Sequence, residues 1–223
     1  TLTGITKRFP GVRANDQVNL TLRSGQIHGL LGENGCGKST LIKIVTGVYT
    51  PEIAKQFELF GDKVESMTPV QARNRGVSVI WQDLALFPNM SVAENIAFDE
   101  MVGLRPKGDD YGGMKERARA ALARLGVTLD LDAPLESQPI AQRQVVAIAR
   151  ALMNEARLIF MDEPTASLTQ SETDKLLDIV RCLLLRPTFL LLDEPTAGLP
   201  DDLTEKVMDV VRELAAAGTS LSA

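Results

Sequence analysis

The amino-acid sequence predicts an α/β fold in which a parallel sheet forms the core and a helical subdomain is inserted into that core. Short apolar runs that end at Gly or acidic residues alternate with segments of helical periodicity, as in crossover-connected parallel sheets. The runs are apolar at successive positions, which is typical of strands buried on both faces. Residues 84 to about 153 contain two or three helix patterns and no convincing strand.

Four strands and four helices follow from these patterns. The strands are expected at residues 27–31, 77–81, 158–161 and 189–192. The helices are expected at residues 38–45, 114–125, 141–153 and 173–184. Gly126 follows the second helix where a left-handed cap residue is needed, and Ser91 and Glu94 have the spacing of a capping box that begins a short helix.

Composition excludes several classes of protein. The net charge of -5 and the pI near 5.1 argue against a nucleic-acid-binding surface, which needs an excess of Lys and Arg. Cys36 and Cys182 are far apart in sequence and give no support for a disulfide framework, so a reducing compartment fits best. No apolar run reaches the roughly 18 residues of a membrane helix. The first residues show no secretion signal and lack an initiating Met, so slight trimming is suspected and any membrane role is expected to come through a partner.

Residues 32–39 read GENGCGKS and fit the phosphate-loop pattern G-x-x-x-x-G-K-[ST], directly after an apolar strand and before a helix. Glycines let backbone N–H groups turn inward around phosphate oxygens, and the helix dipole points its positive end at them. Lys38 is expected to reach the β- and γ-phosphates of ATP, and Ser39 to ligate Mg²⁺. The alternative is a plain Gly-rich turn. The expected nucleotide contacts in and after this loop are Gly32, Asn34, Gly35, Cys36, Gly37, Lys38, Ser39 and Thr40.

Asp162 ends the predicted strand 158–161, so it lies at the carboxyl edge of the sheet, where the phosphate loop is also expected. That position suits a carboxylate that helps to hold Mg²⁺. Glu163 follows, and we expect it to orient the attacking water and to accept its proton. The alternative is that Asp-Glu-Pro only caps a helix.

The Asp-Glu-Pro element occurs twice. Residues 158–168 read LIFMDEPTASL and residues 190–199 read LLLDEPTAGL, so the two Asp residues, Asp162 and Asp193, are 193 − 162 = 31 positions apart. The chain therefore carries two copies of one strand-and-turn element.

With the phosphate loop and Asp-Glu-Pro-Thr together, the chain resembles the ABC ATPase family from Thr1 to about Leu184. The segments ITKRFPGV, IHGLLGENG and DEPTASLT are most similar to importers of ribose, galactose and xylose. The resemblance implies a P-loop NTPase core of the RecA-like type and a subunit that hydrolyses ATP with Mg²⁺ to drive a carbohydrate through a transmembrane permease. It also implies a second ATPase subunit and a cytoplasmic, peripheral location on the inner face of the membrane. A periplasmic or extracellular sugar-binding protein would be an indirect partner.

The resemblance implies roles for further residues. Phe9 matches the aromatic residue on which adenine stacks, although a Phe near a strand end is more often part of a core. Gln82 matches the glutamine that senses Mg²⁺ and the water, and a simple exposed Gln is the alternative. Residues 84–96 resemble the surface that docks a permease, whereas Leu86, Phe87 and Met90 would equally suit the core of the subdomain.

The chain departs from the family at two sites. The signature motif falls on residues 138–142, QPIAQ, where Pro139 replaces the Ser that bonds the γ-phosphate of the opposite subunit and removes a backbone donor. Trans-activation of hydrolysis is therefore in doubt. The family histidine some thirty residues after Asp162 is absent, since residues 193–195 read DEP. The single histidine, His28, precedes the phosphate loop within a strand and is assigned no chemistry.

The resemblance also divides the chain. We expect residues 1–83 to form the N-terminal part of the nucleotide-binding core, 84–153 the helical subdomain with the degenerate signature, 154–186 the core segment with the first Asp-Glu-Pro, and 187–223 a duplicated and truncated copy. The first copy is assigned to the phosphate loop because the family places its Asp about twenty residues after the signature Gln, and 162 − 142 = 20. Residues 188–192 are expected to fill the sheet position of the missing histidine strand, with residues 203–214 as a final helix.

Three interpretations result. The first is the importer ATPase described above. The second is a nucleotide-binding module that is catalytically impaired or regulatory, which Pro139, the missing histidine and the hybrid C-terminal part favour. The third, a soluble ABC protein of DNA repair or translation, is weak because such proteins usually carry paired cassettes or long insertions.

Overall fold

The computed structural model describes residues 1–23, 27–28, 35–81, 83–103, 111–162, 189–193, 201–216 and 220–222. Within this part of the chain, the helices are all too short or too polar to cross a membrane. The predicted helix at residues 173–184 and part of the predicted strand at 27–31 lie outside the described residues.

In the described part of the chain, nine strands form two sheets. One sheet is four-stranded and antiparallel, in the order β2-β1-β4-β5, and the other is five-stranded and parallel, in the order β3-β9-β8-β7-β6. The strands are β1 Leu2–Phe9, β2 Val12–Leu20, β3 Ile27–His28, β4 Gln56–Leu59, β5 Asp62–Lys63, β6 Val77–Ile80, β7 Leu158–Asp162, β8 Phe189–Asp193 and β9 Ser220–Ser222. The predicted parallel sheet is therefore present.

The described residues also form seven α-helices. They are α1 Lys38–Val45, α2 Pro69–Asn74, α3 Val92–Ile96, α4 Phe98–Met101, α5 Tyr111–Arg124, α6 Ile140–Met153 and α7 Asp201–Ala216, with a 3₁₀ turn at Leu135–Ser137. Ser91 and Glu94 form the predicted capping box, and Gly126 has the predicted positive φ of 66°. The described residues of segment 84–153 form four α-helices where two or three were predicted, because α4 is a single turn with no periodicity to detect.

The strand β7 shows how the sheet organises the core. Ile159 and Met161 pack into a cluster with α3, α5, α6 and α7, whereas Leu158 and Phe160 pack on the opposite face with α1 and the antiparallel sheet. All four side chains are buried. The prediction of a strand apolar on both faces is confirmed, since alternate residues of a strand point to opposite sides.

The C-terminal part of the sheet contains the strand predicted at residues 188–192 and a further strand, β9, that was not predicted. The strand predicted at residues 188–192 pairs in parallel with β7, and α7 covers the helix predicted at 203–214. However, β9 lies between β8 and β3, so β8 is not the direct neighbour of the strand that precedes the phosphate loop. The three residues of β9 are too few to give a sequence pattern.

Candidate functional site

The phosphate-loop motif ends at the start of α1. Gly37 is the N-cap residue with φ 103°, its position supplies no capping side chain, and the first turn of α1 contains no acidic residue. The first N–H groups of a helix have no partner within the helix, so α1 begins with donors directed away from it. Gly35, Cys36 and Ser39 are exposed, and Lys38 and Thr40 are half-buried. These residues therefore lie together at an accessible helix start.

The backbone of this turn requires glycine. A Cβ on Gly37 would lie 2.1 Å from the Ala14 carbonyl oxygen, which is far closer than any real contact, and φ 103° disfavours other residues. Gly35 also has a positive φ of 83°, and its missing Cβ would meet open space. Gly37 is thus required both by its packing against β2 and by its backbone conformation, whereas Gly35 is required by its backbone conformation alone.

The donor set suits a phosphate group. Backbone N–H groups, the Lys38 ammonium and the hydroxyls of Ser39 and Thr40 are all donors to anionic oxygen, and hydroxyl oxygen is also a ligand type that Mg²⁺ accepts. Of the other predicted contacts, Gly32, Asn34, Gln82 and Glu163 lie outside the described residues. Their roles stay predictions.

Asp162 and Asp193 lie side by side at the same edge of the parallel sheet. They are register partners at the carboxyl ends of β7 and β8, two residues beyond the row that runs through Phe160, Leu191, Ser222 and His28. Strand β3 ends at this same edge, and the phosphate-loop motif follows it in sequence. The backbone therefore brings Asp162 and Asp193 to the edge at which β3 ends.

Phe9 ends β1 and is half-buried. Its ring meets the ring of Tyr49 edge-on, with 5.2 Å between centroids, and Lys7 Nζ lies 5.5 Å from the Phe9 centroid. The ring is therefore held by neighbours without being enclosed in the core. Adenine stacking on Phe9 stays a prediction, and Tyr49 is a neighbour that the sequence analysis did not identify.

The segment after Gln82 is fixed by helix α6. Leu84 and Ala85 have positive φ angles of 24° and 46°, and the Arg150 guanidinium donates to both of their carbonyl oxygens, at 3.2 and 3.0 Å. Burial lowers the pKa of Arg150, and the nearby Asp99 carboxylate opposes that shift. The strained backbone after Gln82 is thus tied to the middle of the helical subdomain.

A groove of about 290 Å³ lies beside this segment, between α2, β6, α4 and α6. The buried Asp99 carboxylate accepts hydrogen bonds from Arg73 of α2 and Asn154 after α6, which joins the core to the subdomain. Phe87, 41% exposed, stacks on Phe98 with 4.3 Å between centroids, whereas Leu86 packs against the core. The predicted docking surface is therefore divided, with Phe87 at the groove and Leu86 inside.

Pro139 is the residue before α6 and is exposed. Its φ of −56° and ψ of 156° suit an N-cap, so the proline does not disturb the helix. Arg143 donates to the carbonyl oxygens of Glu136 and Gln138 and fixes the segment before it. The degenerate signature thus forms a well-ordered helix start that presents no hydroxyl at position 139.

Sequence reasoning missed two polar groups in this region, Asn15 and Asp99. Both are buried, and their partners are distant in sequence: Gly37 for Asn15, and Arg73 and Asn154 for Asp99. A polar residue without a local motif carries no signal of burial, so only the fold brings these contacts together.

A profile of the ABC transporter family matches residues 15–166. A ribose import ATP-binding protein of Rubrobacter xylanophilus, RbsA 2, is 46% identical over 183 residues, which cover 80% of this chain and 34% of that protein. An arabinose import ATP-binding protein of Burkholderia thailandensis, AraG 2, is 43% identical over 179 residues, which cover 80% and 34%. The chain therefore spans about a third of the length of the curated relatives that it matches.

Among solved structures, a dimeric bacterial ABC transporter cassette aligns with a TM-score of 0.72 at 20% identity, covering 99% of this chain and 93% of that one. An ATP-binding cassette of an ABC transporter in its ADP conformation aligns with a TM-score of 0.68 at 23% identity, covering 99% and 78%. The predicted fold class, an α/β P-loop NTPase core, is confirmed by this likeness.

Proposed function

This chain belongs to the ABC transporter family, and from that premise we propose that it is the ATP-binding part of a sugar importer, which hydrolyses ATP with Mg²⁺ to drive transport. The observation that carries the proposal is the accessible start of α1, where uncapped backbone donors stand beside Lys38 and Ser39. The names of the relatives, ribose and arabinose import proteins, support a carbohydrate as the transported substrate.

Each of the predicted site residues would contact a particular part of the bound MgATP or of the attacking water. Gly32, Asn34, Gly35, Cys36, Gly37 and Thr40 would surround the phosphates with backbone and hydroxyl donors, and Lys38 would neutralise charge on the terminal phosphates. Phe9 would stack on adenine. Ser39, Gln82 and Asp162 would hold Mg²⁺, which when bound offsets charge on the phosphate oxygens. Glu163 would orient the attacking water and accept its proton.

The partners follow from the family. A transmembrane permease would dock at the groove beside Phe87, where exposed aromatic surface borders the Asp99 contacts that join core and subdomain. A second ATPase subunit would face the start of α6, and the sugar-binding protein would act indirectly through the permease. The subunit would then lie on the cytoplasmic face of the membrane.

Substitution of Lys38 tests the proposal directly. Lys38→Ala is expected to raise the Kd for MgATP about 10- to 100-fold, because a charge-assisted hydrogen bond contributes about 1.5–3 kcal/mol. Isothermal titration calorimetry measures that Kd, and phosphate release measures hydrolysis. Lys43→Ala, in the last turn of the same helix, is the matched control and should bind as the wild type does. Equal affinity of Lys38→Ala and wild type would contradict the proposal.

A second candidate function is that of a module that binds ATP without hydrolysing it. Pro139 favours it, because the exposed start of α6 lacks the hydroxyl that the family presents there. Binding of MgATP without phosphate release would support this candidate, and recovery of hydrolysis in Pro139→Ser would identify the proline as its cause.

A further inference from the structure

Strand β2 has an unusual burial pattern. Of its nine residues, all described, only Asn15 is buried, at 5% exposure. A polar side chain thus occupies the one buried position of this strand, while Val18 and Leu20 pack against the core and stay partly exposed. Because burying a polar group is unfavourable without hydrogen bonds, the contacts of Asn15 explain what it does there.

Asn15 contacts the turn that enters α1. Its Nδ2 donates to the Gly37 carbonyl oxygen at 3.1 Å, and the Leu41 N–H donates to the same oxygen at 3.0 Å. Both lone pairs of that carbonyl are therefore used. The neighbouring Ala14 carbonyl presses against Gly37 so closely that no Cβ would fit. Strand β2 thus packs against Gly37, the last glycine of the phosphate loop, and also hydrogen-bonds to it.

This hydrogen bond sets the direction of the next amide. The Gly37 C=O and the Lys38 N–H belong to one trans peptide, so they point in opposite directions. Gly37 has no side chain to cap the helix, and a first turn frays readily without a cap. The Leu41 N–H donates the bond that the helix itself makes to this peptide, and the donor from strand β2 adds a second that constrains its plane.

We propose that Asn15 is a positioning residue, which orients the Lys38 amide toward a terminal phosphate of the nucleotide by holding the Gly37 carbonyl. The inference rests on the proposed function, since it concerns the same phosphate site. Asn15 itself lies behind the loop and acts through Gly37 and Lys38.

The amide oxygen of Asn15 makes it possible to separate an effect on nucleotide binding from an effect on stability. Among the described residues, Asn15 Oδ1 is buried and has no hydrogen-bond partner. An unpaired buried acceptor opposes folding, whereas an apolar side chain of similar size does not. On stability alone, leucine would serve better at this position. Asparagine is therefore favoured there by the bond to Gly37.

The principal variant is Asn15→Leu, studied with MgATP as the probe. It should leave the Tm of the nucleotide-free protein unchanged or raised, while the Kd for MgATP rises about threefold to tenfold, the range for one lost neutral hydrogen bond. Asn15→Ala is the second variant. It opens a small cavity, so its Tm should fall, yet its Kd should rise as much as that of Asn15→Leu. A Kd that follows Tm across the two variants would overturn the proposal.

Asn19→Leu is the matched control on the same strand. Asn19 Oδ1 accepts a hydrogen bond from the Gly4 N–H at 2.8 Å, away from the phosphate loop. This variant should lose Tm and keep the wild-type Kd. Wild-type protein that fails to bind MgATP would overturn the proposed function together with this inference. Wild-type binding with an unchanged Kd in Asn15→Leu would overturn the inference alone.

Discussion

The two copies of the Asp-Glu-Pro element differ in how well each suits the phosphate loop. The first fits by its sequence spacing, and the second by the position of its strand in the sheet. In the first copy, Asp162 has the sequence spacing from Gln142 that the family uses. In the second, Asp193 is nearer in the sheet, because only β9 separates β8 from β3, whereas β7 is one strand further away. At about 4.8 Å per strand, the lateral separations from β3 are about 10 Å for β8 and about 14 Å for β7.

The difference teaches that sequence spacing and spatial reach are separate properties once an element is duplicated. Spacing identifies the copy that fits the family pattern, and sheet order decides which strand end lies closer to β3. In a chain with one copy the two criteria coincide. Here they point to different residues, so experiments on matched pairs of variants can separate them.

The largest expected effect comes from the two carboxylates. Because Asp162 is the proposed ligand, and a bound metal contributes several kcal/mol of charge stabilisation, Asp162→Asn should lower the kcat of Mg²⁺-dependent ATP hydrolysis about 100-fold. Asp193→Asn should change that kcat less than about twofold. Steady-state phosphate release over a Mg²⁺ titration measures both. The reverse ranking would assign the metal to the second copy and make sheet order the deciding criterion.

The first copy is also expected to be essential to the core. Ile159 is 0% exposed and belongs to the cluster that joins the sheet to the helical subdomain. Ile159→Ala should lower the free energy of unfolding by about 2–5 kcal/mol, through lost burial and a residual cavity. Urea unfolding measures it. Ile140→Ala, at a position 45% exposed, is the control, with an effect within about 0.5 kcal/mol. Similar losses in the two variants would contradict this view of β7.

The comparison of the two copies presumes that the phosphate loop binds nucleotide. Chemical labelling of Cys36 tests that premise. Its thiol is exposed within the motif, so a bulky thiol reagent should block MgATP binding, and bound MgATP should slow labelling about tenfold or more. Mass spectrometry of timed reactions measures the rate. Cys36→Ser should bind MgATP and resist inactivation. Protein labelled at Cys36 that still binds MgATP would count against the loop.

Much of the fold could be predicted because its signals are local. The helix at residues 38–45 coincides with α1, since the motif fixes its start, and β6, β7 and β8 begin at the predicted residues because their apolar runs have sharp ends. Ser91 and Gly126 mark helix boundaries through bonds made within a few residues. The loop itself was also identifiable, because its chemistry is concentrated in eight consecutive residues.

The parts that sequence did not predict depend on distant contacts. The antiparallel sheet has no clear alternation, since β1 and β2 pair with register shifts and Gln17 adopts a positive φ. Asn15 and Asp99 resemble surface residues until Gly37, Arg73 and Asn154 are brought beside them. The insertion of β9 beside β3 could not be foreseen either, because three residues, Ser-Leu-Ser, favour no particular neighbour.

The smaller of the two expected effects on stability tests whether the second copy is integrated into the fold. Helix α7 follows that copy, and Val210, buried on α7, belongs to the same core cluster as Ile159. Val210→Ala should cost about 2 kcal/mol in unfolding free energy, because it removes two buried methyl groups at about 0.8 kcal/mol each and leaves a small void.

Arg212→Ala, on the exposed side of α7, is the matched control for Val210→Ala. It loses only a surface pair with Asp209, which contributes less than about 1 kcal/mol. If both variants unfold at the same urea concentration as the wild type, α7 does not pack on the core and the second copy stands apart from it. A loss confined to Val210→Ala would instead mean that the duplicated segment is a working part of the domain, whichever copy supplies the metal-binding carboxylate.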